Sequence, residues 1–222
     1  MRARRCDFHT HTTFSDGALI PMELIRRVAV GDHRAVAITD HVSFSNVEWV
    51  VPQVAKDCAR ADAWDIIAIP GAEITHVPVK YIDEAVRLAR KAGAELIIVH
   101  GETSVEPVEQ GTNAAAAANP DVDILAHPGM LSSEDAEAAA DNGVYLELSC
   151  RKGHSRSNGH VASVAKAVGA KILVNTDMHS PEDISTMASA TSVARGAGQD
   201  PEAVREALVT NTEALLRKLG HA

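Results

Sequence analysis

Short runs of consecutive apolar residues alternate along the chain with longer amphipathic segments. Residues 35–38, Ala35-Val36-Ala37-Ile38, are apolar at every position, as expected of a strand covered on both faces. Residues 66–69 and 96–99 share that character, residues 122–126, 144–148 and 171–174 are apolar but for Asp123, Glu147 and Lys171, and a first short run ends at Phe8-His9. Between these runs the period changes to that of a helix. Residues 21–30 put Leu24, Ile25 and Val28 on one face, and residues 81–91 do so with Ile82, Ala85, Leu88 and Ala89 before Gly93 stops the turn. Further helices are expected at 47–63, 113–118, 134–141 and 161–168. Two more start at Ser180-Pro181-Glu182 and Asp200-Pro201-Glu202, each a capping side chain followed by proline at the first helical position. The second runs to Leu219 with an interruption near Asn211.

Seven strands, each followed by a helix, predict an α/β fold with a parallel sheet. A closed seven-stranded βα barrel is the preferred architecture, and an open doubly wound sheet is the alternative. No glycine-rich loop follows the first strand, which speaks against dinucleotide binding. No linker divides the chain, so residues 1–222 read as one domain.

Composition narrows the function. Of 222 residues 45% are apolar and 23% charged, the balance of a soluble globular protein. No apolar window approaches the length that crosses a bilayer, so no membrane partner is expected. Arg2, Arg4 and Arg5 resemble the basic start of a leader, but the polar run from Asp7 to Asp16 follows at once and leaves no apolar region. Three scattered cysteines, Cys6, Cys58 and Cys150, read as reduced thiols of a cytoplasmic protein. A net charge of −9 makes nucleic acid an unlikely main partner. Oligomeric state is not written in the sequence. The abnormal number is eleven histidines.

Their positions are informative. The first strand ends in His9-Thr10-His11, the second in Thr39-Asp40-His41 and the third in Glu73. The fourth ends in His100, the fifth in His127-Pro128, the sixth near Glu147 and the seventh in Asp177-Met178-His179. In a parallel βα barrel all these ends open onto one face, where active sites are built. Six imidazoles gathered there with Asp40, Glu73 and Asp177 suit transition metals such as zinc, manganese or iron. That is more donors than one ion needs, so two or three divalent ions are expected. No G-x-S-x-G elbow is present, and no cysteine sits beside these histidines at triad-like spacing, so serine or thiol hydrolysis competes poorly.

At these residues the chain resembles the PHP superfamily (polymerase and histidinol phosphatase). The matching motifs are Asp7-Phe8-His9-Thr10-His11 with Ser15-Asp16-Gly17, Ile38-Thr39-Asp40-His41, Gly71-Ala72-Glu73, Val99-His100-Gly101, Leu125-Ala126-His127-Pro128 and Asn175-Thr176-Asp177-Met178-His179. The resemblance implies a distorted (β/α)7, TIM-like barrel with a trinuclear metal site. Carried over, His9, His11, Glu73 and Asp177 hold one ion. Glu73, His100 and His127 hold a second, and His41, His179 and Asp16 a third. Some relatives have a histidine where Asp16 stands. Asp40 is then a supporting group that orients a neighbouring histidine, and Glu102 and Glu147 are further supporting groups.

Three divalent ions against Asp16, Glu73 and Asp177 leave about +3 at the mouth, a pocket for a phosphate dianion. The expected reaction is hydrolysis of a small phosphomonoester, histidinol-phosphate-phosphatase-like, by in-line attack of a metal-bound hydroxide. Glu73, Asp177 and His179 are the catalytic candidates, with His179, Asp177 or a metal-bound water protonating the leaving oxygen. Arg151, His154 and Arg156, in the basic loop after the sixth strand, are candidate phosphate contacts. His76 is a weaker substrate candidate and His160 weaker still, while His33 and His221 read as surface residues. The alternatives are a phosphodiesterase or 3′–5′ exonuclease, a non-enzymatic RNA-binding barrel subunit, and an amidohydrolase. The last lacks its bridging lysine, since the fourth strand ends in His100.

Overall fold

A sheet of strands paired in parallel wraps into a nearly closed barrel with helices outside it. The order is β1 (Arg5–Asp7), β2 (His33–Ile38), β4 (Ile67–Ile74), β5 (Leu96–His100), β6 (Ile124–Ala126), β7 (Tyr145–Ser149) and β8 (Ile172–Asn175), with β3 (His41–Val42) beside β4. The computed structural model describes residues 3–221. Met1, Arg2 and Ala222 lie outside the described residues, and with them both ends of the expected 1–222 domain and the first arginine of the basic start. The outer helices are α1 (Pro21–Val30), α2 (Val47–Cys58), α3 (Ile82–Ala92), α4 (Thr112–Ala117), α5 (Ser133–Asn142), α6 (Asn158–Val168), α7 (Met187–Gly196), α8 (Pro201–Arg205) and α9 (Asn211–Lys218). Among the described residues no helix is long and apolar enough to cross a membrane.

The seven expected strands become eight because the second breaks at Thr39-Asp40 and resumes as β3. β4 is longer than its apolar run suggests and changes partner midway: Ile67 to Pro70 register with β2, and Gly71 to Ile74 with β5. Pro70 lacks an N–H for a continuous ladder, and its carbonyl accepts from Glu95 N at 2.8 Å. A Cβ on Gly71 would lie 2.7 Å from Thr39 Cγ2, so only glycine fits where the sheet shears. Between β1 and β8 the ring is closed by a parallel bridge of Thr10 and Met178, with His11 N donating to Met178 O at 2.8 Å. The seam therefore runs through the first histidine motif.

Alternate strand residues face inward. Cys6, Phe8, Ala35, Ala37, Ile69, Leu96, Ile98, Ile124, Tyr145 and Leu173 fill the barrel. Leu215 and Leu216 of α9 plug its lower end, each burial worth about 1.5–3 kcal/mol. A second apolar layer, including Val36, Ile38, Ile97, Leu125 and Leu146, packs under the outer helices.

Several boundaries differ from expectation. The stretch expected as a helix over 47–63 ends at Cys58, and a separate 3-10 turn covers Ala61–Trp64. Ser180-Pro181-Glu182 opens a single 3-10 turn, Pro181–Asp183, because the Asp183 carboxylate closes a capping box on Ser180; α7 starts at Met187 behind the Thr186 cap. The interruption near Asn211 is a π-helical turn over Glu206–Thr210, and Asn211 Nδ2 donates to Ile172 O at 2.9 Å. His33, expected on the surface, is buried at the start of β2, and His221 is half-buried against Glu95.

Candidate metal centre

The period of two that fills the barrel also builds its mouth. On β4 the inward side of Ile69 continues to Glu73, on β5 that of Leu96 and Ile98 to His100, and on β7 that of Tyr145 to Glu147. The apolar filling thus gives way to donors at the C-terminal ends. His127 and Asp177 have positive φ values of 28° and 54°. Such backbone is costly for non-glycine residues and concentrates at functional sites.

Glu73, fully buried, is the centre. Its Oε1 lies 3.4 Å from His9 Nε2, 3.2 Å from His100 Nδ1 and 3.6 Å from His127 Nε2. Its Oε2 lies 2.6 Å from His41 Nδ1 and 3.6 Å from His11 Nε2. Asp177 Oδ1 lies 3.2 Å from His11 Nε2, and Oδ2 lies 3.8 Å from His127 Nε2. Asp16 Oδ1 lies 3.2 Å from His179 Nε2 and 3.6 Å from His41 Nε2. All nine expected metal-site residues therefore converge. Four overlapping sets have donor atoms within 4.8 Å of one another: His11, Asp16, His41 and His179; His9, His127 and Asp177; His9, His11 and Glu73; and His41, Glu73 and His100. His11 thus faces the Asp16 set as well as Glu73, and His41 bridges between Asp16 and Glu73.

Several donors have no partner among the described residues. His9 Nε2, both nitrogens of His11, His127 Nδ1 and Asp177 Oδ2 are buried without a hydrogen bond. Leaving a buried polar atom unsatisfied costs about 1–3 kcal/mol. Imidazole and carboxylate lone pairs aimed at one another fit divalent cations between them.

The electrostatics follow the same geometry. Burial would raise Glu73, but His41, His9 and His100 hold its carboxyl well below the usual range. Burial would also raise Asp177, and His9, His11 and His127 keep it strongly acidic. Burial disfavours charge on His41, yet Glu73 and Asp16 carry its pKa up to about 9. Burial lowers His11 to about 3, with the neighbouring imidazoles His41 and His9 adding to the effect.

The supporting residues split from expectation. Glu147 Oε2 accepts from His9 Nδ1 at 2.8 Å and from Asn175 Nδ2 at 3.0 Å. Asp40 touches no histidine by hydrogen bond. It accepts from Thr12 N, Thr12 Oγ1 and Ser15 Oγ, each at 2.7 Å, and so holds the loop that carries Asp16. Gly17 closes that loop so tightly that a Cβ would meet His11 O at 2.3 Å. Glu102 accepts from Gly111 N and Asn113 N at the start of α4, away from the histidines.

Of the basic loop, Arg151 reaches the site: Nη1 is 2.8 Å from His179 Nδ1 and 3.4 Å from Asp177 Oδ1. His154 is buried, stacked on His127 at 4.2 Å, with Nε2 3.6 Å from Asp177 Oδ2. Arg156 is exposed, and its side chain has no hydrogen bond or ion pair among the described residues. His160 bonds Leu131 O at 2.8 Å, outside the cluster, and exposed His76 lies over His100 with ring centroids 6.0 Å apart. Residues that no sequence pattern flagged are Thr75, 2.7 Å from His41 Nδ1, Thr103, 2.8 Å from His154 Nδ1, and Glu106, 3.7 Å from both Arg151 and His154. Asn175, which bonds Glu147, is the first residue of the final histidine motif and so carries a signal in the sequence.

The family model described as the PHP domain matches residues 7–100, the span that carries His9, His11, Asp16, His41, Glu73 and His100. The chain belongs to the PHP family. An uncharacterized protein of Methanocaldococcus jannaschii is 46% identical over 217 residues, covering 97% of this PHP chain and 100% of that protein. The DNA polymerase/3′-5′ exonuclease PolX of Bacillus subtilis is 25% identical over 96% of this chain, which spans 41% of its length. A probable phosphatase of Thermoanaerobacter sp. is 34% identical over 49% of this chain and 47% of its own. Among solved structures, a chain of archaeal ribonuclease P with mature tRNA matches with TM-score 0.74 at 15% identity, covering 98% of this chain and 92% of that one. Metal-dependent tyrosine phosphatases of Bacillus subtilis and Streptococcus pneumoniae match with TM-score 0.59 at 15% identity, over 96% of this chain and 94% of theirs. At such identities the likeness is one of fold. A two-domain protein of Bacteroides vulgatus containing a predicted PHP-like metal-dependent phosphoesterase also shares the fold, with TM-score 0.52 at 16% identity over 98% of this chain and 69% of that one, and the histidine and carboxylate clusters of this chain can hold metal.

Proposed function

We propose that this PHP protein is a phosphatase that hydrolyses a small phosphomonoester in the cytoplasm. The observation that carries the reading is the ring of buried, unpartnered donors around Glu73, from His9, His11, His127 and Asp177. A fold that keeps five such atoms forgoes several times about 1–3 kcal/mol unless cations satisfy them. In this reading His9, His11, Glu73 and Asp177 hold one ion. Glu73, His100 and His127 hold a second, and Asp16, His41 and His179 a third.

Divalent zinc, manganese or iron in these positions supplies Lewis acidity toward a phosphoryl oxygen and a nucleophile from water at neutral pH. The protein's own groups do the rest. Glu147 accepts the hydrogen bond of His9 Nδ1–H and leaves Nε2 facing the cluster. Arg151, beside His179 and Asp177, presents a forked donor to phosphate oxygens. His154 borders the same space, and Arg156 extends the basic rim outward. Glu73, Asp177 and His179 would line the space around the reacting phosphorus; Asp177 is held strongly acidic and carries no proton to give, so the proton for the departing alcohol oxygen would come from His179 or from water.

The test is turnover of p-nitrophenyl phosphate beside bis-p-nitrophenyl phosphate, with Mn²⁺ or Zn²⁺ added and chelator as control. Chelator-sensitive cleavage of the monoester is the expected result. Preference for the diester would instead establish the second reading, a phosphodiesterase or 3′–5′ exonuclease, which the match to PolX along most of this chain favours. The RNA-binding reading has the ribonuclease P likeness behind it but leaves the unpartnered donors without a purpose.

A further inference from the structure

Aromatic side chains are scarce in this chain: three Phe, two Trp and two Tyr. Four of the seven lie on one side of the barrel mouth. Phe14 and Trp49 meet edge to face at 5.1 Å, and Phe44 and Tyr81 meet at 6.2 Å with their planes at 90°. Phe14 is half-buried, whereas Phe44, Trp49 and Tyr81 are 41%, 55% and 41% exposed. Rings this large are ordinarily covered. The β3–α2 connection that carries Phe44 also supplies Ser43 and Asn46 to an open cleft of about 580 Å³, whose other walls include Asp16, His41 and His100. Phe44 is three residues from His41, within about 11 Å of it along the chain. His76, held at φ 53°, adds a fourth exposed ring to this side, lying over His100 with an interplanar angle of 28°. Lys80 Nζ sits 4.6 Å from the Tyr81 ring centroid and holds its outer side.

We propose that Phe44, Tyr81 and His76 form a platform for a planar ring on the alcohol portion of the substrate, so that the site takes ring-bearing phosphomonoesters in preference to aliphatic ones. The proposal rests on the phosphomonoesterase reading. His76 lines the cleft together with His41 and His100, and Ser43, the residue before Phe44, lines it too, so the Phe44–Tyr81 pair borders the cleft, and an alcohol leaving a phosphate held at the histidines through this cleft would meet these rings. Stacking tolerates any flat ring, and a nucleoside and a tyrosyl group share that chemistry.

The test compares kcat/KM of the Mn²⁺-loaded protein on adenosine 5′-monophosphate, phosphotyrosine and glycerol phosphate. Phe44→Ala, Tyr81→Ala and the conservative Tyr81→Phe are assayed alongside, with circular dichroism to confirm folding. Ring-bearing esters should lead glycerol phosphate. The alanine variants should cut that preference about tenfold, chiefly through KM, and Tyr81→Phe should keep it. Whichever ring-bearing ester leads identifies the source of the ring. Equal turnover of all three esters, or variants that slow them alike, would overturn the platform while leaving the phosphatase standing. If no monoester is turned over, the phosphatase reading falls, and calorimetry with adenosine 5′-monophosphate decides the platform. Binding weakened by Phe44→Ala would uphold it, and binding absent or unaffected would overturn it.

Discussion

His9 Nδ1 lies 2.8 Å from Glu147 Oε2, with both side chains fully buried. The carboxylate fixes which imidazole nitrogen carries the proton and turns the other, Nε2, toward Glu73 and Asp177. Glu147→Gln keeps the volume but presents an amide that can donate to Nδ1 and reverse the tautomer. Loss of such a partner typically costs 10–100-fold in metal affinity. Titration of the metal-free variant with Zn²⁺ or Mn²⁺ should show a loss of that order with an unchanged circular dichroism spectrum. Wild-type affinity would show that Glu147 does not orient His9.

Asp40 performs a different service. Its two oxygens take three hydrogen bonds from Thr12 and Ser15 and thereby hold the turn that presents Asp16 to His41 and His179. Asp40→Ala leaves the buried Thr12 N–H without its acceptor, at a cost of about 1–3 kcal/mol. The expected outcome is a lower urea midpoint and the loss of one bound ion per chain, read by elemental analysis after dialysis. Full metal content in a folded variant would detach Asp16 from the metal-holding role.

The barrel and the convergence of the site were legible because one physical rule governs both. Apolar residues at alternate positions of a strand specify the inside, and the same parity carries Glu73, His100 and Glu147 inward where the strand ends. His127 and Asp177 do not follow from parity, since each depends on a positive φ that no periodicity announces. Asp40 adjoins His41 in sequence, which suggests a histidine's partner, but the chain bends at Thr39-Asp40 and turns its carboxylate back to the preceding loop. Arg156 and Arg151 share one basic run in the sequence, yet the 3-10 turn His154–Ser157 sends Arg156 to solvent and His154 inward. Glu106 and Thr103 come from the loop after β5, whose path depends on tertiary contacts alone.

The metal-free protein should be most stable near pH 6.5. His41 has a folded pKa raised to about 9, so its contribution is fully present below its unfolded value of about 6.5 and is lost as pH rises through 9. His11 is lowered to about 3, so its contribution is present above about 6.5 and is lost as pH falls toward 3. Glu73 and Asp177, both held acidic, add to the loss at low pH. Saturating metal binds the native state and raises the melting temperature, more so at alkaline pH, where protons no longer compete for His41. Melting curves of chelated and Mn²⁺-loaded protein from pH 4 to 10 check both statements. A flat profile for the chelated protein between pH 6.5 and 9 would contradict the assignment for His41.

Removing the central donor and removing the rim cation should have separable effects. Glu73 touches five imidazoles, so Glu73→Ala should abolish turnover and the binding of the two ions assigned to Glu73 together, while the barrel, whose apolar filling lies below, stays folded. His9→Ala should likewise abolish turnover. Arg151 stands beside His179 and Asp177 without being a lone-pair donor to metal. Arg151→Ala should therefore leave metal content intact and raise KM for a phosphomonoester. One charge-assisted hydrogen bond is worth about 1.5–3 kcal/mol, or roughly 10–150-fold. Arg156→Ala should raise KM less, because its exposed guanidinium meets phosphate only in water. Steady-state kinetics of the two variants, run beside metal analysis, separate the cases. An Arg156 effect equal to that of Arg151 would draw the outer turn into the phosphate site, and full activity in Glu73→Ala would remove the cluster from the chemistry.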